Sequence, residues 1–131
     1  MTKYVITPDV ALRLAHHEVA IPEEHQLLAP TLLRSQVLTL LYRAVRQGET
    51  ARKDADRQLD YVRALRIRLL GDRVLQNTAW KIADNLGWPD TFDAEYVALT
   101  QLQADAFITL NAELADAVKG LVVIAPIEAL S

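Results

Sequence analysis

Lys3-Tyr-Val-Ile-Thr-Pro-Asp9 is the stretch from which the fold is read. Tyr4, Val5 and Ile6 are aromatic or β-branched, side chains that suit a pleated and half-buried strand. Thr7-Pro8-Asp9 then has the order of a helix start: a hydroxyl residue at the cap, proline at the first helical position, an acid in the first turn. A strand that runs straight into a helix cap is the opening half of a βαβ unit. The arrangement recurs. Gln26–Ala29 predicts a second strand, closed by Pro30 and followed by Thr31, and Ala106–Leu110 predicts another, followed by Asn111. Thr7, Thr31 and Asn111 therefore mark three points where a strand delivers the chain into a helix. In open parallel sheets the ligand crevice lies at those carboxyl ends, where helix N-termini converge. Function is expected at that edge.

The remaining segments complete the pattern. Thr31–Gln47 predicts a helix with an apolar stripe of Leu33, Val37, Leu40, Leu41 and Ala44, stopped by Gly48. Thr50–Arg63 predicts a polar, charge-laced helix, and Leu65–Leu70 a strand that alternates apolar residues with arginine. Gly71-Asp72 opens a helix carrying Leu75, Ala79, Ile82 and Leu86 at helical spacing, with Asp72 explained by that helix start. Gly87-Trp88-Pro89 breaks it, and Asp90–Gln103 and Asn111–Val118 predict two further helices. Leu121–Ile124 reads as a final strand. The expectation is one α/β domain over residues 1–131, with a mainly parallel sheet of five strands and about six helices. A chain of this length buries roughly two thirds of its unfolded surface, so a core needs no staples.

Composition narrows the function classes. There is no cysteine, which excludes a disulfide framework and thiolate metal sites and suits a reducing, cytoplasmic setting. The first eight residues lack the apolar stretch of a signal peptide, and the longest apolar run, Leu121–Ile127, falls far short of the ~20 residues of a membrane span. The net charge of −3 conceals an asymmetry: Arg34–Arg73 holds ten cations and five acids, while Asp84–Asp116 holds seven acids and no lysine or arginine. A basic stretch of this kind can carry nucleic-acid phosphate or an acidic partner, with Arg34, Arg43 and Arg46 as its nucleic-acid candidates. Solvated helix faces laced with i,i+3 and i,i+4 pairs from Asp54, Asp56 and Asp60 account for the same charges.

Asp93-Ala-Glu-Tyr-Val-Ala-Leu99 is the most distinctive segment. An acid early in a helix, ahead of Tyr96, Val97 and Leu99 on the buried side, is explained by helix capping alone, with Asp90 as cap and Asp93 as the acidic half of a capping box. Taken with Tyr4-Val-Ile, with Ala29-Pro30 before a Leu-rich helix, and with Ile108-Thr-x-Asn111, it resembles the PIN domain, the metal-dependent ribonuclease fold of VapC-type toxins in bacterial toxin–antitoxin pairs. The resemblance spans Tyr4 to about Ile124. It implies a three-layer α/β/α sandwich, a homodimer, an antitoxin-like protein partner, an RNA substrate and Mg²⁺ or Mn²⁺ held by four carboxylates.

Carried onto this chain, those four positions are Thr7, Gln36, Asp93 and Asn111, of which only Asp93 is acidic. Hard divalent ions take oxygen ligands, and clustered negative charge offsets the cost of removing their water. A cation facing one carboxylate and three neutral oxygens loses most of that attraction, while helix N-termini still repel it. Metal-dependent cleavage is therefore expected to be weakened or lost. Asp9, two residues beyond Thr7, is the candidate second metal ligand, with Asp90 behind it. Two other readings stand beside the impaired nuclease: a non-catalytic module that binds RNA or a partner, and a structural subunit that clamps an antitoxin-like peptide or a second copy. His16, His17 and His25 lack the spacing of a zinc site. Trp80 and Trp88 read as core or interface anchors.

Overall fold

The computed structural model describes residues 1–131. Four parallel strands form the sheet in the order β3-β2-β1-β4: β1 (Thr2–Ile6), β2 (His25–Pro30), β3 (Ile67–Leu70) and β4 (Ala106–Ile108). The helices are α1 (Pro8–His16), α2 (Leu33–Arg46), α3 (Arg52–Ala64), α4 (Arg73–Leu86), α5 (Phe92–Gln103) and α6 (Ala112–Val118). From β1 the chain steps outward to β2 and then β3, and afterwards returns past β1 to β4. Right-handed crossovers in opposite directions place their helices on opposite faces of the sheet. Accordingly α1, α2 and α3 pack on one another, while α5 lies across β1, β2 and β4 with α4 against it. The direction reverses between β1 and β4, so the crevice of this sheet lies beyond Ile6 and Ile108.

The core follows from the same arrangement. Val5, Ile6, Leu28, Ala29, Phe107 and Ile108 are buried on the strands, and Val10, Leu14, Leu33, Val37, Val97 and Leu99 cover them from both faces. These strands read as nearly continuous apolar runs because both faces are covered. No helix is long and apolar enough to cross a membrane.

Three expectations are corrected. Leu121–Ile124 forms no fifth strand. It makes one bridge, Ile124 to Phe107, through Phe107 N–H to the Val123 carbonyl (2.8 Å) and Ala125 N–H to the Phe107 carbonyl (3.0 Å). The turn that closes α6 holds Leu121 and Val122 against the Val118 carbonyl, and Pro126 has no N–H to extend the ladder. A 3₁₀ turn over Ile127–Leu130 follows, burying Leu130 completely. Trp80 is the second correction: it is 70% exposed, so it anchors no core of this chain, whereas Trp88 packs against the core. Leu40 likewise leaves the stripe of α2, whose buried residues are Leu33, Val37 and Leu41.

Phe107→Ala is expected to cost about 3–5 kcal/mol, because it empties a fully enclosed site at the middle of the sheet. Trp80→Ala should change stability by less than about 0.5 kcal/mol. Urea midpoints of the two variants against the parent chain check both values.

Candidate functional site

The residues at the carboxyl edge are placed by β1 and β4. In-register pairing of Ile6 with Ile108 brings Thr7 next to Thr109, so the starts of α1 and α6 lie side by side. Asp9 joins them. Its Oδ1 accepts the Thr7 hydroxyl and the Val10 N–H (2.9 Å), and its Oδ2 accepts the Leu110 N–H (3.3 Å). Thr7 is buried, and its Oγ1 also lies 3.5 Å from the Ile108 carbonyl. The expectation that Thr7 caps its helix through its side chain is corrected: the hydroxyl makes no cap bond and serves the Asp9 carboxylate instead. Thr31 is corrected as well. The helix begins at Leu33 behind an uncapped Leu32, because Thr31 and Leu32 form a turn. Asn111 does cap, its Oδ1 accepting the Leu114 N–H at 3.1 Å. Asp72 caps α4 in the same way through Leu75 N–H at 2.8 Å.

The other wall of the crevice comes from α5 and α2. Asp93 stands in the first turn of α5, and Tyr96 is one turn further on, fully enclosed. The Tyr96 hydroxyl donates to Gln36 Oε1 at 2.6 Å, which joins α5 to α2 across the sheet edge. Asp93 is held above the ordinary carboxylate range, first by loss of water and then by the charges of Asp90 and Asp9. The Tyr96 hydroxyl is pushed far above the usual phenol value by burial and by Glu95, Asp93 and Asp9. Burial also raises Glu95. Asp93, Asp9 and Tyr96 therefore share one electrostatic neighbourhood, which Gln36 joins through the Tyr96 hydroxyl, while Asn111 follows Leu110, whose N–H bonds Asp9. Asp90 accepts the Phe92 N–H at 3.2 Å. The capping box proposed for Asp93 is absent, because α5 starts at Phe92 behind Thr91 and leaves Asp93 in the first turn with no bond to the backbone.

This donor set does not fit a catalytic divalent cation. No group of three or more His, Cys, Asp or Glu side chains is arranged to hold a metal ion. The oxygens that line the crevice are already committed: Asp9 to three donors, Gln36 to Tyr96 and Asn111 to its own helix. Asp93 is the one carboxylate among Thr7, Gln36, Asp93 and Asn111, and loss of water, then the charges of Asp90 and Asp9, raise its pKa. Arg34, Arg43 and Arg46 are exposed along α2, and none of them pairs with a carboxylate. The residue that sequence reasoning missed is Tyr96. Its place with Val97 and Leu99 on the buried side of a helix marked it as core, and nothing in the local pattern signals the Gln36 partner sixty residues away.

Comparison with known proteins adds the fold. No family model matches the chain, and no curated protein matches it by sequence. The crystal structure of PAE2754 from Pyrobaculum aerophilum superposes with a TM-score of 0.77 and 23% sequence identity, over 98% of this chain and 92% of that one. A likeness at that identity shows a shared fold.

Two outcomes are expected of this geometry. Asp9→Ala removes the acceptor of three donors and should destabilise the chain by about 1–3 kcal/mol, read from urea unfolding. Asp93 favours its protonated form more in the folded chain than in the unfolded one. Its contribution to stability is thus fully present below the unfolded value of about 3.9 and is lost as pH rises through the higher folded value. Asp93→Asn should flatten the stability profile across that interval and leave it unchanged elsewhere, with a small amplitude because the side chain borders solvent.

Proposed function

We propose that this chain is a PIN-like protein, similar in plan to the VapC-type ribonuclease toxins, in which metal-dependent cleavage of RNA is lost. The observation that carries the proposal is the crevice itself. The four matched positions gather at one edge of the sheet, yet three are neutral and the acid added nearby, Asp9, is spent on Thr7, Val10 and Leu110. Gln36 supports the same reading. A glutamine accepts the Tyr96 hydroxyl without adding charge, where a glutamate would place a further carboxylate beside Asp93 and Asp9.

The decisive experiment combines Mn²⁺ calorimetry with an RNA cleavage assay on the parent chain and on the triple variant Thr7→Asp, Gln36→Glu, Asn111→Asp. The parent is expected to give neither Mn²⁺ binding nor cleavage, and the triple variant to gain Mn²⁺ affinity. Micromolar Mn²⁺ binding by the parent, with cleavage that Asp93→Asn abolishes, sinks the proposal.

RNA retention without cleavage is a second reading, favoured by the unpaired Arg34, Arg43 and Arg46 on the helix that carries Gln36. Each arginine that contacts phosphate contributes close to one unit to the slope of log affinity against log salt. Replacing all three with alanine should lower that slope by about 2–3 if they carry the RNA. An unchanged slope excludes them.

A further inference from the structure

Strand β3 forms one margin of the sheet. It pairs only with β2, and Arg68, Leu69 and Leu70 enter no other backbone or side-chain hydrogen bond. Successive side chains of a strand point to opposite faces. Ile67 and Leu69 turn toward α2 and α3, where with Leu33, Val37, Leu59 and Val62 they line a mainly apolar groove of about 460 Å³, to which Arg34 and Arg63 also contribute. Arg66 and Arg68 stand on the other side of the strand, exposed and without a carboxylate in salt-bridge range. Leu38, 56% exposed, extends the apolar lining to the mouth of the groove.

We propose that this edge accepts an extended segment of another protein, with alternating apolar and acidic residues, as an added parallel or antiparallel strand. An unpaired edge supplies the backbone donors and acceptors that a guest strand requires. The guest's alternate side chains then meet two different surfaces. Those on the α2–α3 side enter the apolar groove, and those on the opposite side come opposite Arg66 and Arg68, where acids complete cross-strand pairs. A second copy of β3 is the wrong occupant. Arg66–Leu70 contains two arginines and no acid, so edge-to-edge pairing of two copies brings like charges together across the junction. The inference goes beyond the function proposed above and stands whether or not the crevice cuts RNA.

The test follows amide hydrogen exchange of the full chain on addition of a short peptide of alternating valine and glutamate. Controls are a peptide of alternating valine and lysine, and one with the valines and glutamates in separate blocks. The alternating acidic peptide is expected to slow exchange at those amides of Arg68–Leu70 that face away from β2, and the controls to leave them unchanged. Arg66→Glu with Arg68→Glu should weaken the acidic peptide by about tenfold or more and turn the preference toward the lysine peptide. If that variant does not fold by circular dichroism, Arg66→Ala with Arg68→Ala should weaken binding without reversing it. Equal binding of the block peptide, or binding that leaves the edge amides unprotected, overturns the proposal. So does edge protection that rises with the concentration of the chain alone, which assigns the edge to a second copy, or protection of the same amides by an RNA oligonucleotide.

Discussion

Parallel strands that reverse their winding leave a gap between the helices that start on either side, and in this chain a single carboxylate spans it. Asp9 takes the Thr7 hydroxyl and the Val10 N–H from its own turn and the Leu110 N–H from the far strand end. Helix N-termini present unsatisfied N–H groups and partial positive charge, and an acid at that point answers both. The carboxylate thereby ties the first turn of the chain to the segment that follows its last strand, one hundred residues later. Ile6, Phe107 and Ile108, on the strands that end at this junction, are fully buried.

The same bond accounts for the chemical character of the crevice. A carboxylate that serves three internal donors has little left for a cation, and its neighbours Gln36 and Asn111 are likewise occupied within the fold. Asp93 remains as a carboxylate whose proton affinity is raised by loss of water and then by the charges of Asp90 and Asp9. Architecture and charge have separated here: the strand ends still converge as they do in a ligand-binding α/β sheet, while the oxygens that converge hold the protein together.

Away from the crevice, the molecule divides its charge by surface. Arg52, Arg57, Arg63 and Lys119 are absorbed in local i,i+3 or i,i+4 pairs, each exposed and worth little to stability. Arg34, Arg43, Arg46, Arg66 and Arg68 have no such partners and cluster on α2 and the β3 edge. Three of the ten cations of the basic stretch therefore serve as paired, solvated helix surface, and the other seven carry no carboxylate partner.

Local pattern was enough to find every element that local physics decides. The strand at Tyr4–Ile6, the start of α1 at Pro8 and its end at His16, the Asp72 and Asn111 caps, and the burial of Tyr96, Val97 and Leu99 all follow from side-chain shape, cap chemistry and helical spacing within a few neighbouring residues. The convergence of strand ends at one edge was legible as well, because strands in a parallel sheet run in one direction, whereas the set Thr7, Gln36, Asp93 and Asn111 came from the family resemblance alone. Three features lay beyond any local signal. Leu121–Ile124 has strand composition, yet Pro126 and the turn at Val118 leave it one bridge. Trp80 has a core side chain but sits on the outer face of α4, a choice made by the packing of Leu75, Ala79 and Ile82. Thr7 has a capping side chain but gives its hydroxyl to Asp9. Residue type states what a group can bond or bury; which partner it meets is set by chain segments sixty to a hundred residues distant, and only the folded structure brings those within reach.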